Sequence, residues 1–136
     1  MNELAGKKMN EKLQIEIPSE IPTQLQSRAI ELSHLHVAEV AWLRKDAMEI
    51  IRQLKGSKVA ILGGDVLQKR SGRFEYEYSN WAVDRQSNES PEAYAARSLE
   101  ETEHYVRNFP DPDDGSVAYV LVFEKGNCQP GTRPDR

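Results

Sequence analysis

The stretch VAILGGDVL, residues 59–67, decides how the fold of this chain is predicted. An apolar run ends there at two adjacent glycines, Gly63 and Gly64, which are followed by Asp65. A phosphate-binding turn would lead from such glycines into a helix and would need a third glycine, or a Lys with a Ser or Thr. This chain instead continues through DVLQKRSGRF towards another strand. We therefore interpret the three residues as a structural turn, in which the glycines permit positive φ or a β-bulge at the strand end and Asp65 hydrogen-bonds local backbone N–H groups.

The segments around this turn predict strands. KVAIL, residues 58–62, is typical of a buried strand, and VAYVLVFEK, residues 117–125, is apolar and β-branched enough for a central one. FEYEYSNW, residues 74–81, alternates aromatic side chains with glutamates, which indicates a strand whose glutamates face water. HVAEVAW, residues 36–42, is strand-like in composition but short, and we expect an extended connection there.

Three segments have the apolar spacing of amphipathic helices. A proline suited to a first turn predicts a short helix over residues 22–33. A second apolar stripe, followed by Gly56 as a left-handed cap, predicts a helix over residues 44–55. The third helix begins at the SPE motif of residues 90–92, where the serine can cap and the proline fits the first helical position. The loop NFPDPDDGS ends it.

Together these elements predict an α+β domain with a mainly antiparallel sheet of about three to four strands and with helices packed on one face. We expect residues 12–125 to form this single domain, residues 1–11 to be disordered and residues 126–136 to be a flexible tail. The helices are expected to cover the sheet through Ala95, Leu99, Val106, Ile50 and Leu54.

Charge is distributed unevenly along the 136 residues, whose formal net charge is −4. Residues 74–124 contain 12 acidic and 3 basic side chains, a net charge of −9. Such a field disfavours a nucleic-acid partner and favours a basic protein. Because the chain contains no apolar run of membrane-spanning length and no secretory signal pattern, we expect no membrane partner and a cytoplasmic location.

Candidate catalytic and metal-binding residues do not assemble into a set. His34, His36 and His104 have no third ligand at a regular spacing, and the single cysteine, Cys128, lies in the polar tail. We therefore predict no catalytic residue, no metal site and no cofactor. Two alternative functions stay open: a small metal-dependent hydrolase that uses Asp65, His104 and nearby acids, and a homo-oligomeric regulatory module.

Candidate partner-binding residues combine aromatic and acidic side chains. A desolvated aromatic can anchor a protein interface, and exposed carboxylates can steer a basic partner towards it. The candidate anchors are Tyr76 and Trp81. The candidate steering carboxylates are Asp84, Glu89, Asp111, Asp113 and Asp114.

Five stretches follow one another along the chain: EVAWLRKDAMEII, VAILGGDVL, YSNWAVD, YAARSLEETEHYV and YVLVF. Together they resemble the immunity protein 40 family of bacterial polymorphic toxin systems, over about residues 39–123. The resemblance implies an antitoxin that binds a cognate toxin domain stoichiometrically and performs no chemistry. It also implies that GGDV is a signature of the fold and not a phosphate site. It assigns no toxin-binding residues.

Overall fold

The computed structural model describes residues 17–124. The predictions for residues 1–11 and 126–136, with Cys128, lie outside the described residues, as do the outermost positions of the predicted domain. In chain order the elements are α1 (Thr23–Gln26), β1 (Ile30–Glu31), a 3₁₀ turn (Ser33–Leu35), β2 (Val40–Leu43), α2 (Arg44–Leu54), β3 (Ile61–Arg70), β4 (Arg73–Ala82), α3 (Pro91–Asn108) and β5 (Val117–Phe123). None of the helices in this part of the chain is long and apolar enough to cross a membrane.

The five strands form one sheet in the order β1-β2-β5-β3-β4. Every neighbouring pair is antiparallel. The predicted α+β class is therefore confirmed, with more strands than the three to four expected. The last strand is central, as predicted, because its first five side chains are all buried and so pack on both faces of the sheet.

Helices α2 and α3 cover one face of the sheet. Ile50 and Leu54 of α2 pack with Leu99 and Val106 of α3 in one buried cluster. This cluster includes three sheet side chains: Trp42, Val66 and Tyr119. The apolar stripes predicted for these two helices are thus confirmed, and so is the Ser90 cap, whose Oγ accepts a hydrogen bond from the Ala93 N–H at 3.1 Å.

The opposite face, which we call the outer face, is covered only in part. Val66 and Leu121 pack beneath the helices. Because side chains alternate along a strand, their chain neighbours Leu67 and Val120 point to the outer face. They belong to a second cluster with Leu32, and Leu35 and Val37 pack against it. The segment over residues 32–37 therefore covers one half of the outer face. The other half, which we call the open half, carries Leu62, Asp65, Asn80, Ala82 and Val122.

Two predictions near the N-terminus were wrong. The predicted helix over residues 22–33 lasts only four residues, and Ile30 pairs with Ala41 in the sheet instead. A continuous helix would place Leu25 and Leu32 on one side of the molecule, but they belong to the clusters on the two different faces. The expected connection over residues 36–42 ends in a strand, β2, which lies between β1 and β5.

The prediction that the glutamates of β4 face water was also wrong, because Glu75 and Glu77 are half-buried and one carboxylate oxygen of Glu77 is fully buried. Phe74 and Tyr76 pack against the outer-face cluster, not beneath the helices. The pairing of β4 with β3 shifts register, because Asp65 lies opposite Asn80 whereas Leu67 lies opposite Tyr76. The extra β4 residues form a bulge in which Tyr78 has a φ of 72° and is 88% exposed. A simple two-residue alternation cannot describe a strand with such an interruption.

Candidate partner-binding site

The two glycines lie inside β3, which continues to Arg70, so they form the expected bulge within a strand and not a turn at its end. Pairing with β5 shifts register between Ile61 and Gly63, so the strand is irregular at this point. Gly63 has a positive φ of 156°, as expected for one of the two glycines. A Cβ on Gly63 would lie 2.2 Å from the Trp81 carbonyl oxygen, and a Cβ on Gly64 would lie 2.0 Å from the Val120 carbonyl oxygen. Both positions therefore need glycine because neighbouring backbone approaches closely.

Trp81 is held between β4 and α3. A Cβ on Gly64 would lie 2.4 Å from its indole Cη2 atom, so the ring packs directly over that glycine. The indole N–H donates to Thr102 Oγ1 at 3.0 Å, and the ring stacks on Tyr105 with 4.5 Å between centroids. This predicted interface anchor thus already packs on its own chain. Its role in partner binding stays a prediction.

Asp65 does not make the local hydrogen bonds that its position after two glycines suggested. Its carboxylate has no hydrogen-bond or ion-pair partner among residues 17–124. The side chain is half-buried on the outer face, opposite Asn80 on β4 and Val120 on β5. Burial raises the pKa of the Asp65 carboxyl, because desolvation disfavours its charged form.

A shallow groove of about 260 Å³ lies over this carboxylate. The backbone of Gly63 and Gly64 lines it together with Asp65 and Asn80. Trp81 lines it as well, and so do Leu62 and Val122, which are each 37% exposed. Across the described part of the chain, these two and Tyr78 are the large hydrophobic side chains that face solvent. The open half therefore combines apolar side chains with one unpaired carboxylate.

Tyr76 lies beside this groove and connects it to a second carboxylate. Its hydroxyl donates to Glu39 Oε1 at 3.3 Å. Burial, followed by the negative charges of Glu39 and Asp65, raises the pKa of Tyr76 to about 12. Of the two predicted aromatic anchors, Trp81 lines the groove itself, whereas Tyr76 lies beside it.

Of the two candidate acids before α3, Glu89 is engaged through its carboxylate and Asp84 only through its backbone carbonyl. Glu89 forms an ion pair with Arg97 at 2.7 Å, and the hydrogen bonds from Arg97 and from the Gln86 N–H lower the Glu89 pKa to about 2. Arg97 also donates to the Asp84 carbonyl oxygen at 2.6 Å. The Asp84 side chain remains exposed, so of these two acids it is the more accessible to a partner.

Two of the acidic residues after α3, Asp111 and Asp113, lie beside one arginine, Arg44. Its guanidinium donates to the Asp113 carboxylate at 2.6 and 3.1 Å, and Asp113 is exposed. Asp111 is 2% exposed at its side chain and accepts the Tyr119 hydroxyl at 2.8 Å. Arg44 further donates to the carbonyl oxygens of Val106, Arg107, Phe109 and Asp111. The sequence analysis missed Arg44, because no local spacing links it to a loop 69 residues away.

The seven candidate partner-binding residues do not form one surface. Asp84 and Glu89 precede α3, whereas Asp111, Asp113 and Asp114 follow it. An 18-residue helix is about 27 Å long, so the two acidic groups are far apart. Asp114 accepts hydrogen bonds from the Ser116 N–H and hydroxyl and shapes its own loop.

The hydrolase alternative required Asp65 and His104 to act together. Asp65 faces the open half, whereas His104 is exposed on α3, which covers the other face of the sheet. The residues that the structure describes contain no group of three or more His, Cys, Asp or Glu side chains placed to hold a metal ion. The sheet therefore separates the two residues on which this alternative depended.

The structure thus joins the GGDV stretch, the Trp-containing strand and the Tyr-containing helix in one packed unit. A family model described as Immunity protein 40 matches residues 31–123. The chain belongs to the immunity protein 40 family. The match covers α2, α3, β2 to β5 and the groove around Asp65, so the immunity-protein resemblance is confirmed over most of the sheet. Searches of curated proteins and of solved structures found no match.

Proposed function

We propose that this immunity protein neutralises a cognate toxin domain by binding it stoichiometrically in the cytoplasm. The observation that carries the proposal is the family match over residues 31–123. It acts by occupying a surface that the toxin needs, so it is not an enzyme and requires no cofactor. Neither a nucleic acid nor a membrane takes part in the complex.

The toxin domain has a basic surface under this proposal. Net charge supports it, because residues 74–124 carry 12 acidic and 3 basic side chains. Oppositely charged surfaces accelerate association, even where individual carboxylates are already paired within the chain. The exposed side chains of Asp84, Asp113 and Asp114 contribute to this steering.

The decisive experiment uses the toxin domain encoded by the gene adjacent to that of the immunity protein. Expression of the toxin domain alone should stop bacterial growth, and co-expression of the full immunity protein should restore it. Size-exclusion chromatography with light scattering should show a complex with equal numbers of both chains. If the two chains neither form a complex nor restore growth, the proposed function is wrong.

Light scattering of the immunity protein alone tests the regulatory-module alternative. A defined homo-oligomer that does not bind the toxin domain would favour that alternative. A monomer or dimer that joins the toxin in a fixed ratio supports immunity.

A further inference from the structure

The open half of the outer face lacks the covering that the rest of the sheet has. Helices α2 and α3 cover one face, and the segment over residues 32–37 covers the other half of the outer face. At the boundary, Val120 is 1% exposed while Val122, two residues further along β5, is 37% exposed. No other described part of the chain therefore covers the sheet beyond this boundary, and apolar side chains are exposed to solvent there.

A carboxylate without a partner lies at this boundary. Asp65 is half-buried, and the described residues supply neither a cation nor a hydrogen-bond donor to it. Glu89 and Asp111, which are also half-buried, have such partners in Arg97 and Tyr119, whereas Glu77 on β4 shares with Asp65 the lack of one among the described residues. A desolvated charge without a partner lowers the free energy of unfolding, and a cation from another molecule would offset this loss.

The side chain next to Asp65, that of Asn80, indicates which kind of cation this site binds best. Asn80 lies directly opposite Asp65 in the register of β3 and β4, and side chains in such pairs are neighbours. Two adjacent acceptors suit the planar guanidinium of arginine, which donates through two parallel N–H groups, better than the single ammonium of lysine. Leu62 and Val122 provide apolar contacts for the arginine side chain.

We propose that the groove over Asp65 receives an arginine side chain of the toxin domain and that the open half is the docking surface for the toxin. The inference rests on the proposed function and adds to it the surface and the partner group. In the complex, the guanidinium donates to the Asp65 carboxylate and to the Asn80 side-chain oxygen. The rim formed by Leu62 and Val122 excludes water from this contact, which strengthens it.

The test is the affinity of Asp65→Asn for the adjacent gene's toxin domain, made catalytically inactive, by calorimetry or biolayer interferometry. Asparagine keeps the shape and removes the charge, so we expect Kd to rise at least about tenfold, mainly through faster dissociation. The melting temperature should stay equal or rise, because the substitution removes an unpaired charge. Asn80→Ala, at an exposed position, should raise Kd about three- to tenfold.

Glu100→Gln is the matched control, because Glu100 is an exposed carboxylate on α3, on the other side of the sheet. It should leave Kd within about twofold of the wild type. Each toxin arginine should then be replaced by alanine, one at a time. For one of them, the loss of binding free energy should not add to the loss caused by Asp65→Asn.

Each contrary outcome has a distinct meaning. Wild-type binding that Asp65→Asn leaves unchanged would overturn the docking surface and leave the immunity function standing. A wild-type homodimer that dissociates in Asp65→Asn would show that a second copy fills the groove and would also overturn the proposal. If the wild-type chain neither binds the toxin domain nor protects cells, the proposed function fails, and the docking proposal fails with it.

Discussion

At the scale of single residues, Arg44 makes the largest set of polar contacts described for one side chain. It lies at the start of α2 and joins the end of α3 to the acidic loop, through the carboxylate of Asp113 and four backbone carbonyl groups. Its side chain is only 18% exposed. The contacts require a planar group with several donors, which lysine lacks.

We therefore expect Arg44→Lys to lower the free energy of unfolding by about 2 to 4 kcal/mol, because several acceptors lose their donor in a partly buried place. Urea denaturation followed by circular dichroism measures the change. Arg52→Lys is the control, since Arg52 pairs with Glu49 on the exposed surface of the same helix. It should change stability by less than about 0.5 kcal/mol. Equal effects of the two substitutions would contradict the role assigned to Arg44.

The lowered pKa of Glu89 predicts how the stability of the folded chain depends on pH. Hydrogen bonds from Arg97 and the Gln86 N–H lower the Glu89 pKa to about 2 in the folded chain, from 4.5. A lowered carboxyl pKa contributes stability that is present above the unfolded value and is lost as pH falls towards the folded one. The melting temperature should therefore fall between pH 5 and pH 2, and fall less in Glu89→Gln.

The comparison needs a second variant, because other acids also titrate in this range. Glu101 pairs with the same arginine but is 50% exposed at its side chain. Melting curves of Glu101→Gln should follow the wild type more closely than those of Glu89→Gln do. The role of Glu89 would be refuted by identical pH profiles for the wild type and Glu89→Gln.

At the scale of elements, the contact between β3 and β4 depends on Gly64. Trp81 packs over this glycine and reaches Thr102 and Tyr105 on α3, so one indole ring joins both strands to the helix. A Cβ at Gly64 would meet the Val120 carbonyl oxygen at 2.0 Å as well as the ring. Neither neighbour is the free end of a flexible side chain.

Gly64→Ala should therefore destabilise the protein by at least about 2 kcal/mol through steric overlap. It should also change the tryptophan fluorescence of the native state, because the Trp81 ring must move. Ala82→Ser is the control, since Ala82 is an exposed position in the neighbouring strand. An unchanged denaturation midpoint in Gly64→Ala would show that the sheet accommodates the methyl group and would contradict the prediction.

At the scale of the whole molecule, steering and docking involve different surfaces. The exposed acids lie near the ends of α3, while the groove lies on the opposite face of the sheet. Charges steer a partner over distances of about 8 to 10 Å at physiological ionic strength, so they need not touch it. They should therefore affect association, whereas the groove should affect dissociation.

This difference gives a kinetic prediction. Replacing Asp84 and Asp114 together by asparagine, whose amide oxygen can still accept the hydrogen bonds from Ser116, should slow association with the toxin domain about two- to fivefold at low salt. The effect should become small at high salt, because exposed charges are then screened. Glu89, Asp111 and Asp113 are left unchanged, since their carboxylates hold Arg97, Tyr119 and Arg44. Stopped-flow measurements at two salt concentrations test this, and association rates that ignore both salt and substitution would reject acidic steering.

The sequence by itself determined the elements whose signals are local. The spacing of apolar side chains and the caps at Ser90 and Gly56 predicted α2 and α3. The run VAYVLVF predicted a central strand, and the α+β class followed from the order of these elements. Five short stretches were enough to indicate the family. Each of the helix, cap and strand signals depends on residues within a few positions of one another, where backbone geometry limits the choices.

Only the tertiary structure decided which faces and which distant residues meet. The bulge in β4 turned Tyr78 to solvent and left Phe74 and Tyr76 on the outer face, although their alternation is regular in the sequence. Arg44 and Asp113 meet across 69 residues, and the open half exists because the segment over residues 32–37 covers only part of the sheet. Local sequence patterns are compatible with several arrangements of the same helices and strands. Packing between whole elements determines which of these arrangements forms.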